Sequence, residues 1–377
     1  MAYRLRDALL NVRKQTFKSA SFFVILIFMA LEVLYRKYRP DSFESVLGQE
    51  SIVKSLSNSL KSGRISHAYL FSGSRGTGKT SMARIVARAL GCSDNDLHEM
   101  DAASNRGIDD VRALREAVRA RPFDSTHSVY IIDEAHMLTK DAFNALLKTL
   151  EEPPSHVVFI LATTEVEKLP ETVVSRCEVH TFKKPTLEIL KKMIFNVAQS
   201  ENIEFEAQSI ELIALVGDGS FRDTHAALQK VLSGTPSSGS KKISNEYVES
   251  ILGAPKRALV NEYLEAIVFR NAQKGISAVR KASQENLDMK MFLDLVLRKF
   301  RAALLIRIDP EERGFIKQAF SEEDFLFLEK IALDMKNTLS SKTLLSLLDA
   351  YQKVSRFHIP ELALELLLIN IIAEEKQ

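Results

Sequence analysis

The chain has 377 residues, 46% of them hydrophobic and 27% charged, which is typical of a globular protein and excludes a disordered chain. Lysine and arginine number 51 against 49 aspartates and glutamates, so the net charge of +2 excludes a uniformly basic surface, although not a local basic track for nucleic acid. The two cysteines, Cys92 and Cys177, are too few for a disulfide framework, which favours a reducing compartment. The length suffices for two or three domains.

Residues 1–28 differ from the rest of the chain in charge. They carry five basic residues against one acid, Asp7, and a ten-residue apolar run follows from Phe22 to Leu31. This run is shorter than the ~20 residues of a membrane-spanning helix, and no small-residue cleavage site follows it. We expect translation to begin at Met29 and the extension to have no function. A membrane anchor and a secretion signal are the alternatives.

Helices and strands are predicted to alternate from residue 51 to about residue 182. The predicted helices, which show apolar residues at helical spacing, cover residues 51–63, 80–91, 108–122 and 141–154. The predicted strands cover residues 67–73, 99–104, 128–136 and 156–164. Near-continuous apolar strands that alternate with helices are typical of a parallel sheet covered on both faces.

After about Phe182 the strands are expected to stop. Helical spacing continues over residues 186–203, 208–219 and 220–234. The Ser- and Gly-rich residues 233–242 resemble a linker, and the chain beyond Gly253 is predicted to be helical to its end. The last helix, opened by Pro360, is apolar nearly all round, so we expect it to be buried in its own domain or against a partner.

The stretch GSRGTGKTS fits the phosphate-binding pattern G-x-x-x-x-G-K-[ST] between a strand and a helix. Its glycines let backbone N–H groups face a phosphate at the positive end of the following helix. Lys79 is expected to reach the outer phosphates of ATP, and the Thr80 hydroxyl is expected to bind Mg²⁺. The predicted ATP-binding residues of this loop are Gly73, Ser74, Arg75, Gly76, Thr77, Gly78, Lys79, Thr80 and Ser81.

The stretch YIIDEAH supplies a second group of candidate site residues. Asp133 comes at the carboxyl end of a buried strand, where open α/β sheets bind ligands. Asp133 is expected to hold Mg²⁺ and Glu134 to orient or activate the attacking water, which favours hydrolysis over binding alone. Thr163 or Thr164, at the end of another strand, can hydrogen-bond the γ-phosphate or that water.

Four further polar residues carry weaker signals. Arg176 in SRC and Arg222 in GSFRD are ambiguous on their own, because a surface arginine needs no special explanation. His98 and His136 are interpreted as ordinary polar residues and not as metal ligands.

These motifs, in this order, resemble the AAA+ ATPases and, more narrowly, the gamma/tau family of the bacterial DNA polymerase III clamp loader. The resemblance covers residues 29–377 and rests on the strings LYRKYRPDSFESVLGQE, GRISHAYLFSGSRGTGKTS, EMDAASNRGIDDVR, VYIIDEAHMLTKDAFNALLKTLEEPP, LATTEVEKLPETVVSRC, GSFRDTHAAL and IPELALELLL. The ALLKTLEEPP and SRC strings separate clamp loaders from other AAA+ proteins.

The resemblance implies an α/β fold: an AAA+ P-loop core with a parallel sheet, then a small helical lid domain and an all-α collar. The implied domains are the nucleotide-binding core at residues 29–182, the lid at 183–253 and the oligomerising collar at 254–377, preceded by the extension at 1–28. Because longer family members carry further C-terminal domains, the chain resembles the short, gamma-type form.

The resemblance also assigns roles to individual residues. Arg39 and Val46 lie in segments that pack around the adenine in this family. Thr164 resembles the sensor that reads the γ-phosphate, and Arg222 resembles a second sensor on the same ATP. Arg176 resembles an arginine finger that acts on ATP held by the neighbouring subunit, where it stabilises charge on the transferred phosphoryl group.

The implied function is that of an ATP-dependent clamp-loader motor with ATP and Mg²⁺ as cofactors. The implied partners are copies of itself with delta and delta-prime-like subunits in a pentameric spiral, the sliding clamp and primer–template DNA, in the cytoplasm and without a membrane. The family label of DNA-directed DNA polymerase, a nucleotidyltransferase, is interpreted as a property of the holoenzyme. The alternatives are a non-hydrolysing nucleotide-binding scaffold and another AAA+ DNA-processing ATPase, such as a branch-migration helicase.

DNA contact is predicted at SNRGIDDVR. Ser104, Asn105 and Arg106 precede a helix whose N-terminus can hold a backbone phosphate, and the family uses this region in that way. A plain helix cap with a solvated Arg106 is the alternative.

The stretch GCSDNDLHEMDAAS looks like a metal site. Typical family members carry a four-cysteine zinc module here, but only Cys92 stands at such a position, and a structural zinc site needs four N or S ligands. We therefore expect no zinc, a shortened connection, and acidic residues that are mostly solvated.

Overall fold

A computed structural model describes residues 33–234, 242–309, 311–334 and 339–373. They form two compact units. The first takes the chain up to Met193 together with Gly217–Gln229, and the second takes Ile194–Val216 and the chain from Lys230 onward. The extension at 1–28 and most of the expected linker at 233–242 lie outside the described residues. Within these ranges, none of the helices has the length and apolar character needed to cross a membrane.

The helices of the described ranges, in chain order, are α1 (Leu34–Lys37), α2 (Glu50–Lys61), α3 (Lys79–Ala89), α4 (Ile108–Ala117), α5 (Lys140–Glu151), α6 (Glu171–Val174), α7 (Leu187–Ser200), α8 (Ala207–Val216), α9 (Phe221–Ser233), α10 (Asn245–Leu252), α11 (Arg257–Val268), α12 (Ala272–Gln284), α13 (Met289–Ile308), α14 (Glu312–Ala319), α15 (Glu322–Leu333), α16 (Ser341–Val354) and α17 (Glu361–Ala373). The strands are β1 (Ala68–Ser72), β2 (Leu97–Asp101), β3 (Ser128–Asp133), β4 (Val157–Thr163), β5 (Glu178–Thr181), β6 (Glu204–Phe205) and β7 (Lys242–Ile243).

The first unit is built on a parallel sheet with the strand order β2-β3-β4-β1-β5. Every residue of β1 and β4 is buried, because helices cover both faces. Alternate residues of β1 enter different cores: Leu70 packs into one hydrophobic cluster, and Tyr69 and Phe71 pack into the other. The predicted parallel α/β layer is confirmed.

The strand prediction was wrong at two places. Strand β5 was not predicted, and no strand was expected after Phe182, whereas β6 and β7 pair in parallel, with Glu204 opposite Lys242. Both misses have one physical reason: β5 lies at the sheet edge with mixed burial, and β6 and β7 have two residues each, so none forms an apolar run. Helix α4 ends at Ala117, earlier than the predicted end at Pro122. The backbone just after Ala117 forms turns.

The second unit is largely helical, and α11–α17 surround one core in which Tyr263, Phe292 and Phe300 are fully buried. The Tyr263 hydroxyl donates to the backbone carbonyl of Leu364 in α17 at 2.8 Å. Helix α17 buries one face in this unit, whereas Ile369 on another face is 55% exposed. Burial within its own domain therefore accounts for part of the apolar surface of α17.

Asp96 is the exception among the acids of residues 91–104, which were expected to be mostly solvated. Asp94, Glu99 and Asp101 are exposed, but Asp96 is buried. A buried carboxylate needs hydrogen-bond donors to offset its loss of hydration.

The donors to Asp96 come from its own loop and from the loop before β3. Its carboxylate accepts hydrogen bonds from the backbone N–H groups of Phe123 (2.6 Å), Asp124 (2.9 Å) and Ser125 (2.8 Å), and from the Ser93 hydroxyl (3.1 Å). Burial alone raises the pKa of this carboxyl, but the hydrogen bonds outweigh it and hold the pKa well below its usual range. One carboxylate thus joins two loops in the stretch that looks like a metal site in the sequence.

We predict that Asp96→Asn lowers the melting temperature by about 5 °C, because an amide cannot accept all four hydrogen bonds. The control is Asp94→Asn, which removes the same charge from an exposed position in the same loop. Since the folded pKa is lowered, the stabilisation is complete above the unfolded pKa of about 3.9 and is lost progressively as the pH falls from there through the folded pKa. The difference in melting temperature between wild type and Asp96→Asn should therefore be constant from pH 7 to about pH 5 and smaller at pH 3, and a difference unchanged at pH 3 would contradict the prediction.

Candidate functional site

An open cavity of about 770 Å³ lies in the first unit beside the P-loop and the carboxyl end of β3. Its walls come from the segment around α1, from the loop after β1 and the start of α3, from the end of β3, and from α9. The sequence-predicted residues that line it are Arg39, Val46, Arg75, Gly76, Thr77, Gly78, Lys79, Thr80, Ser81, Asp133, Glu134 and Arg222.

The P-loop folds around Lys79. Gly73, Gly76 and Gly78 have φ angles of +143°, +74° and +100°, a region that favours glycine. The Lys79 ammonium is buried and donates to the backbone carbonyls of Gly73 (2.7 Å) and Ser74 (2.9 Å). Burial lowers the pKa of Lys79, and the nearby Glu134 and Asp133 oppose this shift. A fixed cation therefore lies at the N-terminus of α3, where an anion is also favoured by the helix dipole.

Two oxygen donors predicted to bind Mg²⁺ are adjacent. The Thr80 hydroxyl donates to Asp133 Oδ2 at 2.7 Å, which brings together the start of α3 and the end of β3. A hydroxyl and a carboxylate beside a phosphate-binding loop fit the all-oxygen ligand preference of Mg²⁺. Among the described residues no group of three or more His, Cys, Asp and Glu side chains forms a metal site, and the absence of zinc stays a prediction.

Glu134 is held at the end of β3 by its backbone and by its side chain. Its backbone is left-handed (φ 48°, ψ 44°), which is unusual for a residue other than glycine. Its N–H donates to Asp133 Oδ1 at 2.9 Å, and its Oε2 accepts from the Thr164 hydroxyl at 3.2 Å. The structure separates the two threonines: Thr164 contacts Glu134, whereas the hydroxyl of the fully buried Thr163 contacts His136.

Helix α9 meets the P-loop directly. The backbone N–H of Phe221 donates to the Gly76 carbonyl at 2.9 Å, and Ser220 lies against the Gly76 α-carbon. Arg222 therefore lies at the cavity wall, with its guanidinium carbon 5.3 Å from the centre of the Tyr35 ring. Such a stack is a favourable cation–π contact. Tyr35 is not predictable from the sequence as a site residue, because no local pattern connects it to a helix nearly 190 residues away.

The other cavity walls contain further residues that the sequence did not single out. Gln49 is buried and exchanges hydrogen bonds with the backbone of Lys183 (2.8 and 3.3 Å), which anchors the segment that carries Val46. Arg84 pairs with Glu99 at 2.5 Å. Burial, followed by the charge of Arg84, lowers the pKa of Arg39, which stays cationic at neutral pH.

Arg176 does not line the cavity. Its guanidinium donates to the carbonyl of Thr172 (2.6 Å) and to the carboxylate of Glu151 (2.5 Å), and its side chain is 34% exposed. The two strings that distinguish the family, LEEPP and SRC, thus meet in one ion pair. The neighbouring Cys177 is partly buried against the core, and burial raises the pKa of its thiol to about 11.

The residues predicted to contact DNA are held locally. The Ser104 hydroxyl donates to the Asp101 carboxylate (2.8 Å), and the Asn105 amide donates to the Asp101 carbonyl (3.1 Å). At the start of α4, the Gly107 N–H donates to the Asp110 carboxylate at 3.0 Å, so a phosphate there must compete with an acid. Arg106, which precedes α4, is exposed, and DNA contact stays a prediction.

Two family models match the chain. One, described as "DNA polymerase III, delta subunit", matches residues 48–107 and 93–186, and one described as "DNA polymerase III subunits gamma and tau domain III" matches residues 243–377. The chain is 37% identical over 318 residues to the DNA polymerase III subunit tau of Bacillus subtilis, covering 79% of this chain and 56% of the relative.

Other relatives match the chain with similar identity and over a similar share of its length. The tau subunit of Escherichia coli is 36% identical over 76% of this chain and 47% of its own length, so the chain spans about half of these tau proteins. The DNA polymerase III subunit gamma of Buchnera aphidicola is 35% identical over 75% of this chain and 81% of its own length.

A solved structure supports the fold. The Thermotoga maritima RuvB Holliday junction branch migration motor matches with a TM-score of 0.50 and 24% identity, over 61% of this chain and 79% of that chain. At this identity the likeness shows the fold alone. The expected P-loop core with a parallel sheet and a helical C-terminal part is confirmed.

We predict that Gly76→Ala disrupts the contact between the P-loop and α9. A methyl group there would overlap the Ser220 hydroxyl, in addition to the cost of φ +74°. The matched control is Gly63→Ala, at φ +68°, where a methyl group meets no described atom within 4 Å. Gly63→Ala should lower the free energy of unfolding by about 1 kcal/mol and Gly76→Ala by at least twice that, measured by denaturant melts. Adding Ser220→Ala should recover part of the difference, and equal losses at the two glycines would contradict the prediction.

Proposed function

The chain belongs to the DNA polymerase III gamma/tau family, and from this premise we propose that it is an ATP-dependent clamp-loader subunit. It would bind and hydrolyse ATP with Mg²⁺ to open and load the sliding clamp on primer–template DNA. One observation carries the proposal. The P-loop, the hydrogen-bonded pair Thr80–Asp133 (2.7 Å) and Glu134 all lie around one cavity at the same edge of the sheet.

Each residue of this edge has a distinct task in hydrolysis. The Lys79 ammonium and the backbone N–H groups at the start of α3 would hold the β- and γ-phosphates. Thr80 and Asp133 would hold Mg²⁺, which neutralises charge on the phosphates when bound. The Glu134 carboxylate would orient the attacking water and accept its proton, with the Thr164 hydroxyl beside it. Arg222 would add positive charge from α9.

We assign the adenine to the side of the cavity formed by Arg39 and Val46. Both line the cavity, and the buried Gln49 holds their segment in place. The division into a core at 29–182, a lid at 183–253 and a collar at 254–377 is part of the same proposal.

Arg176 is proposed to act on the ATP of a neighbouring subunit. Arg176 does not line the cavity of its own chain, and its side chain is partly exposed. A residue that acts across a subunit interface must be exposed in this way. The proposed partners are further copies of this chain, delta and delta-prime-like subunits, the sliding clamp and primer–template DNA, in the cytoplasm. The presence of Lys79, Thr80 and Glu134 in one site argues against a non-hydrolysing scaffold, which needs no water-activating carboxylate.

Lys79→Ala should lower the affinity for ATP by about 100-fold or more, because a buried, charge-assisted contact to the phosphates is lost. Glu134→Gln should bind ATP normally and hydrolyse it at least about 100-fold more slowly, because the amide cannot take the proton of water. Fluorescent-nucleotide titration and phosphate release, with clamp and primed DNA present, measure the two effects. Lys61→Ala, at an exposed position at the end of α2, is the control. Normal hydrolysis by Glu134→Gln would count against the proposed mechanism.

Arg176→Ala should leave ATP binding by the isolated chain unchanged and should slow hydrolysis by the assembled complex by about 1,000-fold. The reason is that the guanidinium stabilises charge on the phosphoryl group only across a subunit interface. Arg119→Ala, which removes an exposed arginine paired with Glu116 at 3.1 Å, is the matched control. The measurement is steady-state ATPase of the complex co-purified with delta-type subunits and clamp. An active Arg176→Ala complex would refute the role in trans.

A further inference from the structure

His136 lies almost buried between two carboxylates, in the 3₁₀ turn that follows β3. Only 7% of its side chain is exposed. Its Nδ1 is 3.0 Å from the Thr163 hydroxyl and 3.5 Å from Glu134 Oε2, and its Nε2 is 3.3 Å from Glu165 Oε1. The ring therefore connects the end of β3 to the end of β4.

The neighbours of this ring form one cluster with it. The Thr163 oxygen lies 3.0 Å from His136 Nδ1 and accepts the backbone N–H of Glu165 at 3.1 Å. Because a carboxylate oxygen only accepts hydrogen bonds, His136 Nδ1 holds Glu134 Oε2 when it carries a proton. The hydrogen bond and the charge of Lys168, 2.7 Å from Glu165 Oε2, lower the pKa of Glu165, so it is a stable acceptor. Each ring nitrogen thus has a partner, and the plane of the ring is fixed.

Glu134 needs such support. Its left-handed backbone points its side chain away from the ordinary strand direction, and a glutamate side chain has three rotatable bonds. Among the described residues, the close neighbours of its Oε2 are the Thr164 hydroxyl at 3.2 Å and His136 Nδ1 at 3.5 Å. Thr164 follows β4 directly, and His136 is held to β4 through Thr163 and Glu165. The position of the carboxylate is therefore set from the neighbouring strand.

We propose that His136 is a positioning residue for Glu134: its ring, fixed by Thr163 and Glu165, holds the Glu134 carboxylate in the place from which it acts on water. This inference rests on the proposed function, because it assigns to Glu134 the orientation of the attacking water. His136 does not line the cavity, so its loss should affect turnover and not the binding of ATP. Misplacing a reacting group by about 1 Å can cost roughly 100-fold in rate.

The competing explanation is that His136 merely fills the core, and His180 provides the matched control. Its side chain is 8% exposed, and its Nε2 is 3.0 Å from a glutamate, Glu178. His180 lies on β5, packs against Phe71 of β1 and does not line the cavity. Replacing His180 by Phe therefore removes an equally buried, carboxylate-paired histidine without touching Glu134.

The experiment compares His136→Phe, His136→Gln and His180→Phe in the full chain assembled with its clamp-loader partners. Steady-state kinetics yield kcat and KM for ATP, and nucleotide titration yields Kd. His136→Phe should lower kcat by about 10- to 100-fold with KM and Kd within about 2-fold of wild type. His136→Gln, which keeps a donor and an acceptor, should retain most of the turnover, and His180→Phe should match wild type.

A double mutant separates positioning from an independent effect. If His136 acts through Glu134, adding His136→Phe to Glu134→Gln should cause no further loss, whereas an additive loss would overturn the inference. Normal turnover of His136→Phe would overturn it too, as would equal losses in His136→Gln or His180→Phe, which point to packing alone. If Lys79→Ala and Glu134→Gln abolish hydrolysis while His136→Phe turns over ATP at the wild-type rate, only this inference fails. A wild-type complex without hydrolysis would instead refute the proposed function.

Discussion

The candidate site depends on the parallel pairing of β1, β4 and β3. Parallel strands bring their carboxyl ends to the same edge of the sheet, so segments separated by tens of residues meet there. Ser72 pairs with Thr163, and Ile132 pairs with Leu161. This register places the P-loop and Asp133 around one cavity, with Thr164 in contact with Glu134 of its wall. Every residue of β1 and β4 is buried, and a one-residue slip would exchange the two apolar faces. The core thereby fixes the register that the chemistry needs.

Strand β4 lies between β1 and β3 in the sheet. Residues at its end can therefore contact residues at the ends of both neighbours. The Gly73 N–H donates to the Thr163 carbonyl, and the Thr164 hydroxyl reaches Glu134. The end of β4 is thus linked to the P-loop and to the carboxylate proposed to act on water. A strained backbone at Glu134 persists in such a setting because its surroundings hold it from several sides.

Charged side chains also have structural roles at two places that lie away from the cavity. Asp96 accepts four hydrogen bonds in the stretch that looks like a metal site in the sequence, so a single carboxylate joins two loops. Arg176 and Glu151 instead form a partly exposed ion pair, which holds the guanidinium at the surface. The energetic value of such an exposed pair is small, so orientation is its main effect.

The sequence by itself determined the P-loop, the buried strands and the acidic end of β3, because a short run of consecutive residues encodes each of them. The P-loop has a glycine pattern, the strands are apolar runs, and the end of β3 is an Asp-Glu pair that follows such a run. It also carried the family resemblance. Only the tertiary structure decided which histidine touches Glu134, that Asp96 is buried, that Tyr35 stacks on Arg222 and that Glu151 holds Arg176. These contacts join residues that are distant in the chain or whose side chains point in directions that no local pattern encodes. Strands β5, β6 and β7 escaped prediction for a related reason, since edge and two-residue strands are stabilised by their partners and not by a periodic apolar pattern of their own.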